Sequence, residues 1–196
     1  MAQINKILDF KPTGLEIKKG RLLLSEPFLK DYFFKRCVIL MLDHNEHGSM
    51  GMIISRETEY KISDLVDGFP DFDSKVHLGG PVQTENIFIL HQKGELINGS
   101  QEILPGLYWG GDFEQIKEMI SLGVLKNTDL RFYLGYSGWA KGQLENELKE
   151  NSWIVAESKN DYIFAKQPKD LWKEILKLYG NDYEMWLNFP VDPQSN

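Results

Sequence analysis

Short hydrophobic runs separated by turn residues dominate the first two thirds of the chain. These runs are rich in Ile, Leu, Val and Met, which favours β-strands. Five of them read GRLLLS, RCVILMLD, SMGMIISR, KVHLGG and ENIFILHQ. The polar stretch DHNEHGS, at 43–49, separates the second run from the third and predicts a hairpin connection.

Helical periodicity is clearest later in the chain, in GDFEQIKEMISLG, GQLENELKEN and PKDLWKEILKLYG. In the first segment Asp112 is a suitable N-cap and Gly123 a suitable terminator. In the third, Pro168 stands at the start and Gly180 at the end, as helix boundaries favour. A weaker pattern, ISDLVDG, predicts one further turn. Strands followed by helices predict the α+β class, with a mostly antiparallel sheet or partial barrel.

The chain has the size and composition of one domain. It has 196 residues, of which 42% are hydrophobic, and no repeat or Pro/Gly/Ser linker divides it. We expect a single domain over 1–196, with a core at about 19–186 and loose ends at 1–14 and 188–196. The longest apolar run, Cys37–Leu42, is far shorter than the roughly 20 residues of a membrane span.

Three features of the sequence limit the cellular compartment and the binding partners that we expect. The first residues contain no secretory signal pattern, and the single cysteine, Cys37, allows no internal disulfide, so we expect a soluble cytoplasmic protein. The net charge of −7 repels nucleic-acid phosphates at long range. We therefore expect neither direct nucleic-acid binding nor membrane association. The lysines at 166, 169, 173 and 177 are interspersed with acidic residues and are typical of a solvated helix face.

The glycine-rich stretch LGYSGWAKGQLENEL, at 134–148, has three interpretations. A nucleophile elbow needs glycine two residues before and after the serine, but Ser137 has Gly135 before it and Trp139 after it. A phosphate-binding loop needs a glycine pattern, or a following lysine, that this stretch lacks. The favoured interpretation is a tight turn in which Trp139 fills core volume and Gln143 or Glu145 satisfies backbone amides. A second such turn, LGGPV, contains Gly79 and Gly80 and indicates either a pocket wall or a strand end.

The four histidines fall into two pairs, one in a polar turn and one in or beside apolar strands. His44 and His47 lie in one polar turn, but two histidines do not make a zinc site, and we expect no metal and no cofactor. His77 and His91 each lie in or beside an apolar strand and would face each other if those strands paired. Histidines in such positions are more often hydrogen-bonded and structural.

Four separated motifs resemble the AlgH/YqgE-like family of bacterial proteins. They are GRLLLSEPFLKDYFFKRCVILMLDHNEHGSMGMIISR, HLGGPV, the pair LH at 90–91, and LGYSGWAKGQLENELKENSW. They occur in the family's order over about 20–186. The chain departs from the family pattern at ISRET and at Ser137, where the family often has alanine.

The resemblance implies a single α+β domain with an incomplete β-barrel. Some family members are described as transcriptional regulators, but the sequence contains no helix-turn-helix or other DNA-reading module. The family positions map onto residues including Pro27, Asp31, Phe34, Arg36, His44, Gly48, Gly51, Gly79, Gly80, Pro81, Val82, His91, Gly135, Gly138, Trp139, Gly142, Gln143, Leu144, Glu145, Asn151 and Trp153.

The residues favour a non-enzymatic binding or regulatory protein that acts through a protein partner or a small ligand. We expect no catalytic residues. The expected binding surface consists of Arg36, His44, Gly79, Gly80, His91, Gly135, Ser137, Trp139 and Glu145. The alternative is a hydrolase or transferase with His44 or His91 as base, oriented by Glu145 or Asp31. The sequence does not indicate an oligomeric state.

Overall fold

The computed structural model describes residues 13–27, 29, 31–180 and 183–188. The ends predicted to be loose are 1–14 and 188–196, of which residues 1–12 and 189–196 lie outside the described ranges. The strands are β1 Leu22–Ser25, β2 Val38–Asn45, β3 Gly48–Ile53, β4 Glu57–Lys61, β5 Lys75–Leu78, β6 Val82–His91, β7 Ser100–Leu104, β8 Leu107–Gly110, β9 Leu130–Ala140 and β10 Trp153–Ala156. The helices are α1 Ile62–Leu65, α2 Phe113–Ser121, α3 Gln143–Lys149, α4 Asn160–Ile163, α5 Leu171–Leu178 and α6 Glu184–Asn188, with a 3₁₀ turn at Pro168–Asp170.

The strands form one large sheet in the order β10-β1-β2-β3-β9-β6-β8-β7. A branch leaves this path at β9, where β5 pairs in parallel with β9 and antiparallel with β4. All other pairings among the described strands are antiparallel. The two end strands of this path, β10 and β7, do not pair with each other, so the sheet is not closed into a barrel. The prediction of an α+β domain with an incomplete β-barrel is confirmed.

Both faces of the sheet are covered. In β1, Leu22 and Leu24 contact the hydrophobic cluster that includes Trp172 of α5, whereas Leu23 contacts the cluster that includes Trp139 and Trp153. A third cluster lies under α1 and α2 and includes Ile116 and Phe132. Because consecutive strand residues point to opposite faces, a strand buried on both sides is a continuous apolar run.

The helix boundaries follow the predicted capping residues. Asp112 accepts a hydrogen bond from the Gln115 amide at 3.1 Å and caps α2, and Gly123 follows that helix with a φ of +69°. The PKDLWKEILKLYG segment begins with a 3₁₀ turn at Pro168 before α5. No helix within the described ranges is both long and apolar enough to cross a membrane.

The glycine-rich stretch at 134–148 differs from the predicted tight turn. It continues as strand to Ala140, so Ser137 and Trp139 are strand residues. Gly135 has a φ of +65°, a backbone conformation that glycine adopts without strain. It redirects β9 without ending it: the residues before it pair with β5, and those after it pair with β3.

Candidate functional site

The two glycine-rich segments meet and pack backbone against backbone. A side chain on Gly79 or Gly80 would overlap the main chain of Gly135 or Tyr136. Ser137, which is buried, donates a hydrogen bond from its hydroxyl to the Gly79 carbonyl at 3.1 Å. The contacts of these residues therefore hold two strands together, and the Ser137 hydroxyl is not available as a nucleophile.

The predicted binding residues converge only in part. His44, in β2, is the register partner of Ser49 in β3, and Ser49 is in turn the partner of Trp139 in β9. Helix α3, which carries Glu145, packs on Trp139 through Leu144. Six of the nine predicted residues, with Glu145 close by, therefore lie at one end of the sheet: His44, Gly79, Gly80, Gly135, Ser137 and Trp139.

Arg36 and His91 lie elsewhere. Arg36 precedes β2 and His44 lies near its far end, eight residues on, so the strand rise of about 3.3 Å per residue separates them by roughly 25 Å. The Arg36 guanidinium lies 5.4 Å from the centre of the Trp172 ring, and burial lowers its pKa. His91 pairs with Leu130, at the opposite end of β9 from Trp139.

Two of the histidines form hydrogen bonds with serines. The His44 Nδ1 lies 2.8 Å from the Ser49 hydroxyl, across the partly exposed end of the β2–β3 pair and beside an open cleft of about 440 Å³ lined in part by Ser49 and Trp139. The buried His91 lies 3.0 Å from Ser100 through Nε2 and accepts the Lys93 amide at Nδ1. Both ring nitrogens of His91 are thus satisfied, and burial lowers its pKa to about 4.

Glu147 joins two tryptophans from different strands. Its Oε2 accepts the indole N–H of Trp139 at 2.8 Å and that of Trp153 at 2.7 Å, and its Oε1 accepts Gln143 at 2.9 Å. Phe34 stacks on Trp139 at a centroid distance of 6.4 Å. The sequence pattern pointed to Glu145 and not to Glu147, although Gln143 and Glu147 stand one helical turn apart.

His77 lines a cleft that no sequence motif indicated. This His77 cleft has a volume of about 340 Å³ and is lined by Glu57, Asp73, Ser74, Lys75, His77, Asn127, Thr128 and Arg131. The side chains of Ser74 and His77 are only 5% and 3% exposed. Among the described residues, neither the Ser74 hydroxyl nor the His77 Nδ1 has a hydrogen-bond partner. Two residues that line this cavity thus each carry a buried polar atom without a partner among the described residues.

The electrostatics of the His77 cleft favour a neutral imidazole. Burial, with a smaller contribution from the Arg131 guanidinium, lowers the pKa of His77 to about 4. The Tyr133 ring lies 5.2 Å from the imidazole, and its buried hydroxyl has no partner in the described part of the chain. His77 and His91 do not face each other, because β9 separates their strands and the two side chains lie on opposite faces of the sheet.

A second, larger cleft adjoins the His77 cleft and shares Glu57 and Lys75 with it. This basic groove has a volume of about 550 Å³, and its charged lining residues are Arg56, Glu57, Glu59, Lys75, Lys166 and Lys169. Two lysines predicted to lie on a solvated helix face, Lys166 and Lys169, therefore face residues of β4 and β5 across a cleft. The spacing of the lysines alone carried no signal for this arrangement.

The comparisons with known proteins agree over nearly the whole chain. The profile of a family described as AlgH-like matches residues 22–184. A UPF0301 protein of Chlorobaculum parvum is 40% identical over 180 residues, which cover 92% of this chain and 96% of that protein. The solution structure of the AlgH protein from Pseudomonas aeruginosa is similar with a TM-score of 0.72 and 25% identity, covering 92% of this chain and 98% of that one. A crystal structure of a Corynebacterium diphtheriae protein, 18% identical, has a TM-score of 0.74 and covers 93% of this chain and 97% of that one.

Proposed function

The chain belongs to the AlgH-like family, and we propose that it is a cytoplasmic, non-enzymatic binding protein whose ligand is a small molecule held in the His77 cleft. The observation that supports this proposal most directly is that two residues that line one cavity, Ser74 and His77, each carry a buried polar atom without a hydrogen-bond partner among the described residues, Ser74 Oγ and His77 Nδ1. Leaving such an atom unpaired costs about 1–3 kcal/mol. A ligand that displaces the lining side chains enough to bond both atoms recovers that free energy.

The chemistry of the lining suggests the class of ligand. A neutral imidazole carries one donor and one acceptor nitrogen, and a serine hydroxyl both donates and accepts. Lys75 is already engaged by Glu57 at 3.3 Å, and Asp73 by Lys61 at 3.0 Å. The buried part of the cleft therefore suits an uncharged hydrogen-bonding group, such as a hydroxyl or an amide.

The same geometry favours binding over catalysis at this cleft. Ser74 and His77 are not hydrogen-bonded to each other, so they do not form a nucleophile and base pair. A histidine with a pKa of about 4 is also a weak base at neutral pH.

Hydrolysis is the second candidate function, and the His44–Ser49 contact of 2.8 Å is the observation that favours it. The carboxylates suggested as orienting groups are not placed for that role. The Asp31 carboxylate accepts the backbone amides of Phe33 and Phe34, and Glu145 lies on α3. Labelling of Ser49 by a fluorophosphonate, lost in His44→Ala, would establish the hydrolase.

Retention of a small molecule by the intact chain tests the binding proposal. The purified protein is incubated with the fraction of a bacterial extract below about 3 kDa and examined by native mass spectrometry. We expect a reproducible added mass on the wild type that His77→Phe abolishes, because phenylalanine fills the cleft without offering a hydrogen bond. His47→Phe, a matched change at an exposed position, retains the added mass. Equal retention by His77→Phe would contradict the proposal.

A further inference from the structure

The basic groove carries positive charge that its own acidic residues do not neutralise. Its lining contains four cationic and two acidic side chains, a formal charge of +2 on a chain whose net charge is −7. Lys75 lies 3.3 Å from Glu57 and 3.4 Å from Glu59, so both carboxylates are engaged by one lysine. The uncompensated cations are therefore Arg56, Lys166 and Lys169.

Arg56 is held rigidly at the wall of the groove. Its Nε donates to the Phe33 carbonyl at 3.0 Å and its Nη2 donates to the Lys35 carbonyl at 2.8 Å. The guanidinium also lies 5.5 Å from the centre of the Tyr32 ring. Two of the three guanidinium nitrogens are thus used to fix its position, and Nη1 has no hydrogen-bond partner in the described part of the chain. A guanidinium fixed in this way loses little conformational entropy when it binds an anion.

Lys166 and Lys169 supply mobile charge on the other side of the groove. Both are exposed and follow α4: Lys166 precedes the 3₁₀ turn at Pro168–Asp170, and Lys169 lies within it. Neither forms an ion pair with a described residue. One fixed guanidinium and two ammonium groups along one groove suit a phosphate group, which accepts hydrogen bonds from several directions.

We propose that the basic groove binds the phosphate group of a small phosphate monoester. The formal charge of +2 matches the charge of about −1.5 to −2 that a monoester carries at neutral pH. The volume of about 550 Å³ suits a small molecule. The net charge of −7 repels an extended polyanion such as DNA or RNA. The inference rests on the proposed function in one respect: because the two clefts share Glu57 and Lys75, the uncharged part of the same ligand would occupy the His77 cleft.

Inorganic phosphate, which is too small to reach both clefts, tests the groove by itself. The full chain is titrated with phosphate at constant ionic strength, and the NMR signals of the Arg56 side chain and of the Lys166 and Lys169 amides are followed. We expect saturable shifts at these three residues. In the double variant Lys166→Ala/Lys169→Ala, affinity falls at least about tenfold, which corresponds to about 1.4 kcal/mol.

A matched variant controls for net charge. Lys173→Ala/Lys177→Ala removes the same two charges from α5, at exposed positions that do not line the groove, and leaves the phosphate affinity unchanged. An equal loss in both double variants, shifts that do not saturate, or tighter binding of succinate than of phosphate would each overturn the assignment.

The two proposals fail separately. Phosphate shifts in the groove, together with mass retention that does not depend on His77, leave this inference standing and remove the proposed function. If His77→Phe abolishes retention of the added mass and phosphate causes no shift in the groove, the proposed function stands and this inference is removed.

Discussion

Replacing Glu147 by alanine removes the shared acceptor of two buried indoles. Trp139 and Trp153 are 6% and 2% exposed, and both donate their N–H groups to the same carboxylate oxygen. Each buried N–H left without a partner costs about 1–3 kcal/mol. We therefore expect Glu147→Ala to lower the free energy of unfolding by about 3 kcal/mol.

Thermal unfolding followed by circular dichroism measures this loss. In a domain of this size, about 1 kcal/mol corresponds to roughly 2–4 °C, so Glu147→Ala lowers Tm by about 6–12 °C. Glu147→Gln keeps an amide oxygen as acceptor and loses less. Tryptophan fluorescence gives a second readout, since the environment of both indoles changes.

Glu145→Ala is the matched control. Glu145 lies on the same helix, is half-buried, and forms no hydrogen bond or ion pair with any residue the structure describes. Its replacement is expected to change Tm by less than about 2 °C. If the two alanine variants unfold at the same temperature, the carboxylate bridge does not stabilise the protein and the reasoning is refuted.

Three further predictions concern buried polar groups. Ser55→Ala deprives the Val38 amide of its acceptor at 3.0 Å and lowers the free energy of unfolding by about 1–3 kcal/mol. Ser74→Ala removes a hydroxyl that has no partner among the described residues and leaves that free energy unchanged or raises it. Urea unfolding compares the two variants, and equal losses of stability would contradict the assignment. The pKa of His77 is about 4 in the folded chain, against an ordinary value of 6.5, so only the unfolded chain gains a proton between these two pH values. The free energy of unfolding therefore falls as the pH drops from 6.5 to 4. In urea titrations His77→Phe reduces that fall by about 3 kcal/mol, and an unchanged pH dependence would refute the shift. Burial raises the pKa of the Cys37 thiol to about 12, so a thiol reagent at a pH of about 8 labels Cys37 only when the chain unfolds; rapid labelling of the native protein would disprove this.

Patterns of neighbouring residues in the sequence predicted the strands and helices better than they predicted the residues of the candidate site. The strand β2 and the cap of α2 depend on neighbouring residues, such as the run from Cys37 to Leu42 and the spacing of Asp112 and Gln115. The continuation of β9 beyond Gly135 depends on pairing with β3, which no local pattern encodes.

The candidate clefts depend on residues that are far apart in the chain. The His77 cleft joins β5 to Asn127 and Thr128, which precede β9, and to Arg131 at the start of β9, and the basic groove joins Arg56 to Lys166, 110 positions later. Sequence alone identified His77 as a histidine in or beside an apolar strand. It did not show that Ser74 would be buried beside it without a partner, because that property arises from the packing of two strands and a loop.

The late position of β9 in the chain leaves strand edges unpaired while the protein is being synthesised. This strand pairs with β3, β5 and β6, all of which are made earlier, while its own residues begin only at Leu130. β1 waits still longer for one of its partners, because β10 begins at Trp153. A ribosome that has made the first 129 residues therefore carries several strands that lack a partner. Such open edges pair readily with other chains, so the nascent protein is exposed to aggregation until β9, which ends at Ala140, has emerged. Slow codons would therefore be least tolerated just before and within β9.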